Sequence, residues 1–175
     1  HNTDLYGFEK GLKRLKKWDK KKPVIVLGAG GAAESIVYSL VEKSCKNIYV
    51  MNRTLSKAKK LENKYKNVYA AKWLSYDIIN AANLLINTTS LGMVNCPSLL
   101  INLKDASKKL TVYDIVYNPQ ITNLIREAKI RNLEYITGLT MFLGQAEESF
   151  KIWFKKKPEI DKNLLKIIED QLKKR

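Results

Sequence analysis

The stretch Pro23–Ala33, PVIVLGAGGAA, decides the fold. A short, fully apolar run rich in Val and Ile enters a cluster of glycines. From Gly31 to Ser44 the chain then reads GAAESIVYSLVEKS, with apolar residues at helical spacing. Strand, glycine turn and helix in immediate succession predict the first half of a βαβ unit. Gly28, Gly30 and Ala33 fit G-x-G-x-x-A. Gly28 permits the tight turn, Gly30 lets a pyrophosphate approach the backbone, and Ala33 is small enough for close helix–strand packing. The free N–H groups at the start of the helix, and its dipole, favour negative charge there. Gly28, Ala29, Gly30, Gly31 and Ala32 are therefore expected to cradle the phosphates of a dinucleotide.

Which dinucleotide is decided at the end of the next strand, NIYVMN from Asn47 to Asn52. An Asp or Glu there would accept hydrogen bonds from the ribose hydroxyls of NAD. The chain reads MNRTLSK over residues 51–57, so Asn52 stands where the acid would be. Arg53 and Lys57 add positive charge, and Thr54 brings a hydroxyl to a helix N-cap position. An acid would repel a 2′-phosphate, whereas a guanidinium grips one through two hydrogen bonds. The expected cofactor is NADP(H).

The same alternation continues along the chain. Strands are predicted at 67–73, 83–89, 111–117 and 133–138, with helices at 54–65, 121–132 and 139–154. Apolar strands separated by helices predict an α/β fold: a Rossmann-like, doubly wound, mostly parallel sheet with helices on both faces. After Pro158, the residues Ile160, Leu164, Ile167, Ile168 and Leu172 share one face. They predict an amphipathic helix over 158–174 that packs on the domain. No internal repeat or Gly/Ser linker interrupts residues 1–175, which read as one domain.

Composition excludes other classes. The net charge is +15, but the lysines are spread over helices without the interleaved aromatic residues of a base-stacking platform. This reads as a solvated surface, and nucleic acid is not expected as a partner. One histidine and two cysteines, Cys45 and Cys96, offer neither a metal site nor a disulfide framework. Both cysteines are expected to be small buried hydrophobes. No apolar run reaches transmembrane length and no leader pattern is present, so no membrane association and a cytoplasmic location are expected.

Six motifs then occur in a recognisable order: NTD at residues 2–4, GAGGAA at 28–33, NRT with a lysine three further on, NTTSLGM at 87–93, YDIVYNP at 113–119, and GLTMFLGQAEESFKIW at 138–153. Together they resemble the C-terminal, NADP-binding domain of the shikimate dehydrogenase family, up to about Phe154. The resemblance implies reversible reduction of 3-dehydroshikimate to shikimate with NADPH, a step of aromatic amino-acid biosynthesis. It also implies a separate N-terminal substrate domain, joined at a G-x-N-T-D-like motif, inside which this chain begins with His1.

The family's catalytic pair is a lysine and an aspartate. The aspartate matches Asp4, while the lysine belongs to the N-terminal domain and has no match here, so the chain alone is expected to be inactive. From the residues alone, Asp4 could equally cap the helix LYGFEKGLKRL at 5–15. The resemblance implies that Asn2, Asp4, Tyr117 and Gln145 face the substrate. It implies that Ile115, Gly138 and Met141 lie by the nicotinamide. Asn87, Thr88 and Ser90, at a strand end, are expected to line the cofactor channel, with Gly92 allowing close approach. Asp114 reads as structural. A quinate/shikimate dehydrogenase relative and a stand-alone, non-catalytic NADPH-binding module are the alternatives.

Overall fold

The computed structural model describes residues 2–173. Among them are six strands: β1 (Val24–Leu27), β2 (Ile48–Met51), β3 (Val68–Ala71), β4 (Leu84–Asn87), β5 (Thr111–Asp114) and β6 (Glu134–Ile136). The helices are α1 (Thr3–Leu12), α2 (Gly31–Glu42), α3 (Leu55–Lys64), α4 (Tyr76–Ala81), α5 (Asn123–Ile130), α6 (Gly138–Phe154) and α7 (Lys162–Lys173). All strand pairs are parallel, in the order β3-β2-β1-β4-β5-β6. The sheet is thus wholly rather than mostly parallel, and its order reverses between β1 and β4. Ligands of open α/β sheets bind at that switch point, beyond the strands' carboxyl ends.

Alternation along β1 divides the core. Val24 and Val26 join one buried cluster with residues of α1, α2, α3 and α6, such as Phe8, Ile36, Leu61 and Met141. Ile25 and Leu27 join a second cluster on the other face, with Ile79, Leu124 and Ile125 of α4 and α5. That second cluster also takes Leu99, Ile101, Leu103 and Leu110 from the long irregular link between β4 and β5. The six-residue α4 was not predicted, because it is too short to show a period.

Helices α1 and α6 pack through glycine. A Cβ on Gly144 would lie 2.8 Å from the Cα of Gly7, and one on Gly7 would overlap the Met141 carbonyl oxygen. Beside this crossing, Lys10 pairs with the buried carboxylate of Glu147. Phe8 stacks on Tyr113 with ring centroids 5.2 Å apart, and burial pushes the Tyr113 phenol well above its ordinary pKa.

Two expectations are corrected at the periphery. Helix α7 exists, but Leu164 and Ile167 stay exposed, so its apolar face is only partly covered. The left-handed Lys155 ends α6 and separates α7 from the helices that cover the sheet. The expected helix extended to Lys174, which, like His1, lies outside the described residues. Cys45 is buried, and burial raises its thiol pKa to about 11. Cys96 is only half-buried, because it lies in the irregular loop after β4.

The glycine crossing yields a quantitative expectation. Alanine is favoured over glycine in a helix by up to about 1 kcal/mol. Forcing a methyl group against backbone atoms costs about 1–3 kcal/mol or more. Gly7→Ala should therefore lower stability despite its better helix propensity, read as a lower urea midpoint. An unchanged or raised midpoint would show that the two helices have room to part.

Candidate functional site

The carboxyl ends of β2, β1 and β4 lie level, because Leu27 is in register with both Met51 and Asn87. The Gly28 N–H donates to the Met51 carbonyl at 2.8 Å. The Leu27 carbonyl accepts from both the N–H and the hydroxyl of Thr88, at 2.9 and 2.7 Å. Gly28 then turns the chain with φ +108°, and a Cβ there would lie 2.6 Å from Thr88 Oγ1. The turn therefore requires glycine on both conformational and steric grounds. At Gly30 and Gly31 the reverse holds: a Cβ would meet nothing within 4 Å. Gly30 is the N-cap of α2 and has no capping side chain. The helix start is thus an open shelf of N–H donors.

Three hollows run along this edge. The first, about 230 Å³, is lined by Gly28–Gly30, Asn52, Arg53, Trp73 and the turn from Thr88 to Leu91. The second, about 480 Å³, extends from Ala29–Gly31 past Glu34, which pairs with Lys64, to Lys57 and Lys60 of α3. The third, about 270 Å³, begins again at Thr88–Ser90 and passes Ala32, Met93, Ile115, Tyr117 and Met141 to Asp4 and Gln145. Shared walls join them: Thr88–Ser90 separates the first from the third, and Ala29 and Gly30 separate the first from the second. The result is a trough of three adjoining hollows, with a basic end and a largely apolar end that closes on one carboxylate.

At the basic end, Asn52 Nδ2 donates to the Thr54 carbonyl at 2.9 Å. That bond fixes the turn from which Arg53 projects. Thr54 is the N-cap of α3, but its hydroxyl makes no capping bond. Lys57 lies one turn into α3, beside Lys60. At the other end, Gln145 Nε2 donates to Asp4 Oδ1. The crossing of α1 and α6 is what brings these two side chains together. Tyr117 stacks on Phe142 with centroids 4.7 Å apart and walls the same hollow.

Several residues serve differently from expectation. Asp4 does not cap α1. Asn2 does, its side-chain oxygen accepting from the N–H groups of Asp4 and Leu5 at 3.0 and 3.3 Å. Asn2 Nδ2 donates to Ser35 Oγ at 2.7 Å, tying α1 to α2. Its polar atoms are thus engaged within the protein rather than presented to a substrate. Asn87 was expected to line the channel but is fully buried beneath it. Asn87 Oδ1 accepts from the N–H and hydroxyl of Thr89, and Nδ2 donates to Leu91 O and Asp114 Oδ1. Gly138 is buried, and a Cβ on it would overlap the Ile115 carbonyl. It allows α6 to start against the end of β5 and does not line the trough. Gly92 has φ +95°, and a Cβ there would come within 3.3 Å of Thr122.

Asp114 is structural, as read. Its carboxylate accepts from Thr122 Oγ1 at 2.6 Å, Asn87 Nδ2 at 3.0 Å and Val116 N at 3.1 Å. Burial raises its pKa above the ordinary 3.8, against these three bonds, which lower it. Sequence reasoning missed Trp73, Thr89, Met93 and Phe142 as lining residues. Of these, only Trp73 carried a signal, being an aromatic residue just past a strand end. Among the described residues no helix is long and apolar enough to cross a membrane, and no cluster of three or more His, Cys, Asp or Glu could hold a metal.

Residues 9–137 match the family model described as shikimate / quinate 5-dehydrogenase, and residues 138–162 match the shikimate 5′-dehydrogenase C-terminal domain. The chain is 37% identical over 174 residues to the shikimate dehydrogenase (NADP(+)) of Rhodopseudomonas palustris (strain BisB5), covering 98% of this chain and 62% of that protein. It superposes on shikimate 5-dehydrogenase from Thermus thermophilus, solved in complex with NADP(H) and shikimate, with a TM-score of 0.78. There the identity is 31%, over 90% of this chain and 58% of that one. A quinate dehydrogenase from Corynebacterium glutamicum in complex with NAD also gives 0.78, at 28% identity over 91% of this chain and 59% of that one. The chain thus spans about three-fifths of the length of the relatives it matches.

The buried Asp114 cluster yields a testable pair of variants. Asp114→Ala leaves the Asn87 amide and Thr122 hydroxyl without this partner and should cost on the order of 2–4 kcal/mol. A carboxyl whose pKa is higher folded than unfolded loses its contribution to stability as pH rises from about 3.8 through the folded value. Wild type should therefore lose stability relative to Asp114→Asn as pH rises above about 4. Urea denaturation across that range checks both; a gain by wild type would reverse the assigned shift.

Proposed function

This chain belongs to the shikimate / quinate 5-dehydrogenase family, and from that premise we propose that it is the NADP(H)-binding domain of a shikimate dehydrogenase. The enzyme would interconvert 3-dehydroshikimate and shikimate. The observation that carries the reading is the end of β2, where Asn52 and Arg53 stand level with the glycine shelf and share with it a hollow that no Asp or Glu lines. The trough suits this cofactor. Gly30 and Gly31 leave open space over an uncapped helix start for phosphates. Arg53 and Lys57 offer positive charge to a 2′-phosphate. Ile115 and Met141 offer an apolar wall that would exclude water beside a nicotinamide.

When bound, NADPH supplies the hydride for carbonyl reduction. Asp4 would hold a substrate hydroxyl. One of its carboxylate oxygens accepts from Gln145, which fixes its orientation and leaves the other free to accept further bonds. Tyr117 would close the substrate side of the same hollow. A lysine is the expected proton donor, and none of the residues lining this hollow is a lysine. The chain alone is therefore proposed to bind the cofactor without turning over substrate, the lysine coming from a separate substrate domain.

Calorimetric titration of this chain tests the reading. NADPH should bind more tightly than NADH. Arg53→Ala should remove roughly 10- to 100-fold of that preference, the worth of a charged hydrogen-bonded contact. Equal binding of both nucleotides by the wild type would overturn the NADP assignment. Gly30→Ala is a sharper probe, because Gly30 has φ −96° and ψ −169°, which alanine adopts freely. Its methyl group would meet no protein atom but would occupy the approach to the shelf. The melting temperature should stay unchanged while NADPH affinity falls at least about tenfold; unaltered affinity would place the phosphates elsewhere.

A further inference from the structure

We propose that Trp73 is the stacking surface for the adenine ring of the dinucleotide, and that this contact, unlike Arg53, contributes affinity without distinguishing NADPH from NADH. The inference rests on the reading of the trough as a dinucleotide site and adds the residue that recognises the base.

Trp73 follows β3 and lines the same hollow as Gly28–Gly30, Asn52 and Arg53. That hollow is the one in which the phosphate shelf meets the end of β2. The indole is half-buried and packs against the second core cluster, so its position is set before any ligand arrives. A tight turn holds it. Both the N–H and the hydroxyl of Ser75 donate to the Lys72 carbonyl, at 3.3 and 2.9 Å. Leu74, between them and also packed on the second cluster, is left-handed with φ +53°. A non-glycine residue holds that conformation only where surrounding contacts compensate for it. The packing of Leu74 on one side of the turn thus comes together with a Trp73 that faces the hollow.

The chemistry of the hollow is that of a flat heteroaromatic base. Trp73 and Arg53 line it together, and indole and guanidinium groups both favour stacking on purines. No Asp, Glu or Lys side chain lines it, so it offers no charge for a second anionic group beyond what Arg53 would bind. The base would therefore lie at Trp73 while the phosphates turn back over Gly30.

The test uses this chain and three ligands: NADPH, NADH and reduced nicotinamide mononucleotide, which lacks the adenosine half. Trp73→Leu keeps apolar bulk against the core but removes the aromatic face. It should weaken NADPH and NADH by the same factor, about 5- to 100-fold, and leave the mononucleotide unchanged. Trp73→Phe should recover most of the loss. The chain has three tryptophans, so Trp18→Phe combined with Trp153→Phe leaves Trp73 as the sole reporter. Its fluorescence should be quenched by 2′-phospho-ADP-ribose, which carries adenine and no nicotinamide.

Unchanged affinity in Trp73→Leu, a loss confined to NADPH, or unaltered fluorescence would each overturn the assignment. Equal wild-type affinity for the two dinucleotides would sink the NADP reading yet leave the Trp73 assignment standing. No binding of either dinucleotide would overturn both.

Discussion

Strand β1 is hydrogen-bonded along both edges and buried on both faces, so it has no freedom to slide. All four of its residues are 0% exposed. Because side chains alternate, a shift of one residue against β2 or β4 would exchange the contents of the two core clusters. The register that results ends three strands at one level. The segments that leave them, Gly28–Gly30, Asn52–Arg53 and Thr88–Ser90, emerge side by side. The trough is the consequence of that common level, and its charge gradient follows from which residue types each exit carries.

Beneath the trough lies a buried polar layer. Asn87 joins the turn at Thr89 and Leu91 to Asp114 on the neighbouring strand, and Asp114 joins Thr122 at the start of α5. A buried network is tolerable when every member finds a partner, and these do. The loop above thereby acquires a fixed shape, although it contains no helix or strand.

The glycine shelf and the basic end of the trough were legible because each depends on a handful of consecutive residues. Gly28, Gly30, Asn52, Arg53 and Lys57 announce themselves by type and spacing. The apolar end was legible only through resemblance, since nothing local to Asp4 points to Gln145. Asn87 was misread because its hydrogen bonds cross to another strand, which spacing does not reveal. Gly138 was misread because close helix–strand approach and ligand approach demand the same residue. Trp73 was missed because an aromatic residue just past a strand end does not say which hollow it will line, and the turn beside it runs through a left-handed leucine that gives no signal of that conformation. Helix α7 was read correctly as amphipathic, but a periodic face does not say how much of it will be covered.

The glycine contact between α1 and α6 also orders events in time. Asp4 and Gln145 are 141 residues apart, so their pairing closes a very long loop. Contacts of that kind form slowly and after local ones, because the intervening loop must close first. The shelf at Gly28–Gly31 needs only β1, α2 and their neighbours. The carboxylate end needs α1 to meet α6, which follows it only after the whole sheet. During synthesis a nascent chain could form the nucleotide half of its trough before α6 emerged to hold Asp4 in place.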